Sequence, residues 1–442
     1  MGPAVRTAAG QAAWRRKTRR GGIMMAARTR EEASTGVFGG QGEEMESKAT
    51  RRKFIGSSAV LAALGAPGAA VGAAKEKTLT GAAVYERIGV RPLINGGGTL
   101  TILGGSIMPP EVVRAMEQAS QYFVDLPDLQ VKAGARIAEI TGVPAAMVTA
   151  GAASAITVAT AACITRGDRK RYAALPNTEG MPHEVIQQRS HRSGYEAQML
   201  VAGAKIVWVE SAEEAERAIG PATAMMFYLN KNDSAGKISR REWIEIGKKH
   251  NVPLFNDAAA DVPPARRLSE VVQEGFDLVA FSGGKGLMGP QCSGLLLGRK
   301  DLIEAGRPAI SPSGGIGRGM KVGKEEIIGL LAAVERYMRT DHGAEIRALE
   351  GRVREMMRIL KGIKGVETEV VVPKIANEVP HLAVRWDEGR KLTSGEAVRK
   401  LREGDPPIAV LSDGRNGLTV SVWMMRGGEH RTVARRLREI LA

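Results

Sequence analysis

Aromatic side chains are scarce in this 442-residue chain, at 4% of residues. A surface that stacks single-stranded nucleic acid on aromatic platforms is therefore not indicated. Cysteine is nearly absent. Cys163 and Cys292 stand far apart and give neither a disulfide framework nor metal-ligand spacing. Both lie among apolar and small residues, and both are expected to be buried, inert thiols. Histidine is also sparse, with six in the chain. His183, His250, His342, His381 and His430 are scattered, without the spacing a metal needs, and are expected at surfaces or helix ends. Long hydrophobic runs are missing too. The most apolar stretch, 57–71, is too short and too weakly hydrophobic for a good membrane span.

Charge is present, but unevenly. The formal net charge is +15, and residues 1–74 carry 12 Lys and Arg against 5 Asp and Glu. About half of the excess is therefore N-terminal, and no long basic run follows. A nucleic-acid surface is not expected. Residues 1–44 mix Ala, Gly, Arg and Glu without periodicity, and read as a disordered or wrongly assigned extension. Arg51, Arg52, Lys53 and Phe54 then precede the apolar stretch, and small residues follow at 72–74. This is a twin-arginine signal pattern over 45–74. It predicts export to the periplasm or another extracytoplasmic space, no membrane association after cleavage, and a translation start at Met45. The other reading is a flexible leader on a cytoplasmic protein.

Beyond residue 75 the chain alternates strand and helix patterns. Apolar runs at 145–149, 205–210, 223–229, 253–256, 277–281 and 294–297 read as strands. Helical periodicity falls at 128–141, 153–165, 212–219, 239–250 and 329–342. Such alternation implies an α/β fold with a mostly parallel sheet covered on both faces. The expected division is a linker and Gly-rich segment over 75–110, a large domain over 111–340, and a small C-terminal α+β domain over 341–442.

The chemistry centres on Lys285. It follows a short apolar strand and sits among Gly283, Gly284 and Gly286. A lysine on a Gly-bounded loop between buried strands is either solvated or desolvated. In the second case its pKa falls and it becomes a nucleophile or Schiff-base former. Upstream, a strand ends at Asp257. In open α/β sheets ligands bind at the carboxyl ends of strands. Alone, Asp257 also suits a helix cap. A third stretch, Gly151, Ala152, Ala153 and Ser154, lets a strand turn into a helix through small residues. Backbone N–H groups at such a start bind phosphate, although tight turns look the same. The order phosphate turn, Asp, Lys fits pyridoxal 5'-phosphate (PLP). Its aldehyde needs a lysine and its ring nitrogen an acid.

These residues carry a resemblance. Gly89 to Thr99, Thr149 to Ser154, Gln188 to Arg192, Asn256 with Asp257, Phe281 to Lys285, Gly317 to Glu326 and Gly404 to Pro407 are similar to segments of fold-type I PLP enzymes. Within these, the chain resembles the family of L-seryl-tRNA(Sec) selenium transferase (selenocysteine synthase) and D-glucosaminate-6-phosphate ammonia-lyase. The resemblance covers roughly 83–442. It implies an aspartate aminotransferase-like large domain, a small domain that closes over the site, and a homo-oligomer of at least two chains. It also implies roles. Lys285 would bind the cofactor and act as base, Asp257 would pair with its ring nitrogen, and the turn 151–154 and Ser282 would hold its phosphate. His191 would stack on the ring as a lid, or else it is a surface loop histidine. Arg318 and Lys321 would anchor an acidic substrate group, or else they belong to a solvated basic loop.

The activity this implies is removal of an α-proton and β-elimination from a small amino acid or amino-sugar acid, with ammonia released. The alternatives are selenium transfer to a charged tRNA and an exported, non-catalytic binding protein. Export and the short stretch ahead of the Gly-rich segment, which has no room for a tRNA-binding domain, both speak against selenium transfer.

Overall fold

Seven strands build the central sheet of the computed structural model, which describes residues 81–442. The extension 1–44 and the twin-arginine leader 45–74 lie outside the described residues. Across the sheet the order is Ala145–Thr149, Gly294–Gly298, Leu278–Ser282, Leu254–Asp257, Thr223–Leu229, Glu184–Gln188 and Lys205–Val209. Gly294–Gly298 runs antiparallel to both neighbours, and the other pairs are parallel. Central parallel strands are buried on both faces and read as continuous apolar runs. Thr223–Leu229 shows this, with all of its residues buried. Phe227 and Phe255 stack at 5.5 Å between ring centroids across neighbouring strands. Truncating either ring to alanine is expected to cost about 3–5 kcal/mol.

The strand Glu184–Gln188 is not among the expected strands, and it carries two glutamines. Both are buried and bonded. Gln187 donates to the His191 carbonyl and to Glu196, at 2.9 and 2.8 Å. Gln188 exchanges two hydrogen bonds with the backbone of Ile238. Three of the four side-chain polar atoms of these glutamines thus find partners, and the Gln187 carbonyl oxygen does not.

The helix Gly151–Thr165 lies against the sheet and is buried along nearly its whole length. The helix Lys324–Arg339 begins five residues before the periodicity suggested, and Thr340 and Asp341 separate it from the helix His342–Leu360. Asp341 caps that second helix by accepting from the Ala344 N–H at 2.9 Å.

A second apolar core lies beyond this point. Its four-stranded antiparallel sheet has the order Leu411–Ser412, Gly417–Ser421, His381–Trp386 and Val366–Val371. The helices His342–Leu360, Ser394–Glu403 and Glu429–Leu441 contribute to the same core. Ile408–Ala409 lies outside this sheet and pairs in parallel with Ile94–Asn95, which ties the Gly-rich segment to this core.

Two expectations are corrected here. His381 is buried, at 7% exposure, and begins an inner strand. His430 stands in the first turn of the helix Glu429–Leu441, a helix end as expected, although it is 5% exposed and its Nε2 meets Glu355 at 2.8 Å. Cys163 is buried, and burial pushes its thiol up to about 12, but Cys292 is exposed on the turn after Pro290. No helix among the described residues is long and apolar enough to cross a membrane, and no metal-binding cluster occurs among them.

Candidate active site

Strand register decides which side chains share a face. Asp257 lies beside Leu229 on one neighbour and Ala280 on the other, so these three point the same way. Ser282 is two residues beyond Ala280 and shares that face. It is paired with Gly294, whose missing Cβ would lie 2.4 Å from the carbonyl carbon of Gly151. That face therefore looks toward the start of the helix Gly151–Thr165. The register gathers Gly151 to Ser154, Ser282 and Asp257 on one side of the sheet at its carboxyl edge.

The helix start is open. Gly151 has φ +85°, a left-handed conformation that glycine adopts without strain, and a Cβ there would meet nothing within 4 Å. Ala150, the cap residue, has no polar side chain to offer. Outside the helix, no acceptor meets the N–H groups of Gly151 to Ser154 among the described residues. The Ser154 hydroxyl is buried and also lacks a partner. Buried polar groups are nearly always bonded. An uncapped start with an orphaned hydroxyl is built for an anion.

Asp257 is 4% exposed, and the Ala259 N–H donates to it at 3.0 Å. Burial is the main influence on it and pushes the carboxyl up to about 6, against the pull of the Ala259 N–H and of Lys285. A buried carboxylate with so little support wants a further cationic or N–H partner. Lys285 is half-buried, and burial lowers its pKa, while Asp257 and Asp261 pull the other way. Close backbone approaches fix its loop. A Cβ on Gly286 would lie 2.0 Å from the Val262 carbonyl, and one on Gly105 would lie 2.3 Å from the Gly284 carbonyl. The Gly-rich segment and the turn after Asp261 thus hold the loop from both sides.

His191 is placed elsewhere. It is fully buried, and its ring meets Tyr228 edge-on at 4.5 Å. Tyr228 is aligned with Asn256, so both face away from Asp257. Nδ1 of His191 accepts from the Leu229 N–H at 3.2 Å. Burial lowers its pKa to about 4. A stacking lid must show an open ring face to its ligand, and His191 shows none. Arg318 and Lys321 are exposed. Arg318 reaches Ser311 at 3.4 Å, and no hydrogen bond or ion pair among the described residues joins either residue to Lys285 or Asp257.

Two polar residues beside the site escaped sequence reasoning. Asp261 is 2% exposed and accepts from the Asn230 amide at 2.5 Å. The carbonyl oxygen of Asn230 is buried and unpartnered. Their only signals were position. Asp261 is four residues past Asp257, and Asn230 is the first residue past a strand at the carboxyl edge.

Residues 111–340 match the aminotransferase class-V family. The chain is 31% identical over 337 residues to D-glucosaminate-6-phosphate ammonia lyase of Salmonella typhimurium, covering 74% of this chain and 88% of that one. It is 36% identical over 268 residues to 5'-C-glycyluridine monooxygenase-decarboxylase of a Streptomyces species, covering 57% and 65%. It is 24% identical over 414 residues to L-seryl-tRNA(Sec) selenium transferase of Moorella thermoacetica, covering 80% and 83%. A solved structure of D-glucosaminate-6-phosphate ammonia-lyase superposes with TM-score 0.71 at 29% identity, over 81% of this chain and 98% of that one.

Proposed function

This chain belongs to the class-V aminotransferase family of PLP-dependent enzymes, and from that premise we propose that it is an ammonia-lyase acting on an amino-sugar acid. One observation carries the reading: Lys285 and Asp257 lie at the carboxyl edge of the sheet with an uncapped helix start on the Asp257 face. The similarity to D-glucosaminate-6-phosphate ammonia lyase, which extends over most of both chains, supports the substrate class.

The fit to PLP rests on unfinished polar groups. The free N–H groups of 151–154 and the orphaned Ser154 hydroxyl suit its phosphate. The under-supported Asp257 suits its ring nitrogen, and Lys285 suits its aldehyde. When bound, PLP supplies the electron sink that makes an α-proton removable. Lys285 is the base in this reading. Burial lowers its pKa, which lets Nζ stand neutral and accept the α-proton. Asp257, held in a dry setting, keeps a proton on the ring nitrogen. The close-packed loop around Gly286 fixes the backbone that carries Lys285. The net change converts a 2-amino-3-hydroxy acid into a 2-oxo-3-deoxy acid and ammonia, with the hydroxyl at carbon 3 as the leaving group.

The test is ammonia release from D-glucosaminate 6-phosphate and from D-glucosaminate by the PLP-loaded protein. Release from either supports the reading. Oxygen uptake with carbon dioxide release, or transfer to a seryl-tRNA, would replace it with the reaction of another relative. A non-catalytic binding role has no support, because the relatives it matches are enzymes. Export through residues 45–74 and assembly of at least two chains complete the proposal. Cell fractionation with N-terminal sequencing checks the first, and light scattering checks the second.

A further inference from the structure

The turn Asn230–Ala235, which follows the strand Thr223–Leu229, is pinned through three side chains. Asn230 donates to Asp261 at 2.5 Å. Asn232 donates to the Ser190 carbonyl at 3.0 Å. Asp233 accepts from the Tyr228 hydroxyl at 2.6 Å and from Arg240 at 3.3 Å. Lys231 stands between these anchors, and its side chain is the exception. It is exposed and has no hydrogen bond or ion pair among the described residues. Other lysines nearby have carboxylate partners. Lys237 meets Glu210 at 2.6 Å, and Lys249 meets Glu216 at 2.8 Å.

Position gives Lys231 its meaning. It lies just past a strand whose last residue, Leu229, is the lateral neighbour of Asp257. That is the sheet edge where α/β folds bind ligands. The field of Lys231 reaches Lys285 as a like charge. Neither carboxylate near Lys285 pairs with Lys231. Asp261 holds Asn230 and lies in the field of Arg267 and Arg240, and Asp257 faces the helix start. A rigid turn that displays one unpartnered cation beside the reacting lysine is a place for an anion. We propose that Lys231 reads the anionic far end of the substrate, a phosphate monoester, and so sets the specificity of this site. The inference deepens the ammonia-lyase reading and rests on it for the identity of the substrate.

The experiment uses the PLP-loaded protein, with Lys231→Ala and Lys231→Arg as variants and Arg318→Ala and Lys321→Ala as comparators. Two readouts are taken. The first is the dissociation constant for inorganic phosphate, followed through the visible spectrum of the loaded protein. The second is KM and kcat for D-glucosaminate 6-phosphate and for D-glucosaminate. Lys231→Ala should weaken phosphate binding about 10-fold and raise KM for the phosphorylated substrate about 10–100-fold, the range of a lost charge-assisted hydrogen bond. KM for the unphosphorylated substrate should hold, and Lys231→Arg should recover most of the loss. Equal losses on both substrates, unchanged phosphate affinity, or a loss carried by Arg318→Ala or Lys321→Ala instead would overturn the proposal. If the wild type releases ammonia from neither substrate, the lyase reading fails while the phosphate readout still decides the role of Lys231. A thermal melt checks that each variant folds.

Discussion

Two buried polar clusters lie on opposite faces of the same central strands. On one face Asp257, Ser282 and the start of the helix Gly151–Thr165 come together beside Lys285. On the other, His191, Tyr228, Asp233, Arg240 and Glu274 form a linked chain of contacts. Tyr228 donates to Asp233, and Arg240 binds Asp233 and Glu274 at 3.3 and 3.0 Å. Orphan atoms alone do not separate the faces. The His191 Nε2 and the Asn256 amide lack partners too. Charge separates them. The second face pairs its ions and buries only neutral groups without partners. The first face buries a carboxylate, half-buries a lysine and leaves a helix start uncapped. Charges that are costly to bury and short of partners are kept where a ligand completes them.

Lys285→Ala breaks this comparison most severely. It is expected to cost at least about 10³-fold in kcat, because in the proposed reaction the base and the cofactor anchor go together. Borohydride reduction and peptide mass mapping of the wild type should place a pyridoxyl mass on Lys285. The same mass on another lysine would relocate the site. Asp257→Asn comes next, with an expected loss of about 10²–10³-fold. It should also stabilise the cofactor-free protein. The folded carboxyl titrates near 6, above its ordinary value of 3.8. Its folded form is therefore favoured below pH 3.8, and that advantage is lost as pH rises through 6. At pH 8 the buried carboxylate costs the fold about 1–3 kcal/mol. The asparagine variant should melt higher there without PLP and gain less when PLP is added. A lower melting temperature for the cofactor-free variant at pH 8 would contradict the unfinished-site picture.

The first face was largely legible in the sequence, and the second was not. Asp257 ends an apolar strand and Lys285 lies on the turn just after another, and strand ends at the carboxyl edge can be read from local pattern. The turn 151–154 carries its own signature of small residues. His191 is different. Its burial depends on Tyr228 and Leu229, which are distant in sequence and meet it only through sheet pairing. Asp261 is held by Asn230 across 31 residues for the same reason. The strand Glu184–Gln188 was hidden because Gln188 is held by Ile238 and Gln187 donates to Glu196 and the His191 carbonyl, pairings that no local pattern reveals. Periodicity reports which residues seek burial. It does not report which polar residues will find partners once buried.

Smaller effects sharpen the contrast. Ser154→Ala removes one hydroxyl from the anion site. It should weaken PLP binding about 3–10-fold, measured by equilibrium dialysis, with the melt of the cofactor-free protein unchanged or raised. An unchanged PLP affinity would move the phosphate away from this helix start.

The smallest kinetic effect is expected at His191, and its sign is opposite in character. Its folded pKa is near 4, below the ordinary 6.5, because burial disfavours the charged ring. Above pH 6.5 the ring is neutral folded or unfolded, and its stability is fully present. As pH falls from 6.5 toward 4 the unfolded chain gains a proton that the folded chain refuses, and stability is lost by up to roughly 3 kcal/mol. His381, also held near 4 by burial, titrates in the same window. His191→Asn cannot ionise, and its amide oxygen can still accept from the Leu229 N–H. The variant should therefore lose about half of the wild-type acid slope between pH 6.5 and 4, measured by denaturant melts, at a cost near 1 kcal/mol at pH 7.5. Its kcat at pH 7.5 should stay within about 3-fold of wild type, because the ring belongs to the face that does no chemistry. A variant with an unaltered acid slope and a kcat reduced 100-fold would place His191 against the substrate after all, and the division between the two faces would fall with it.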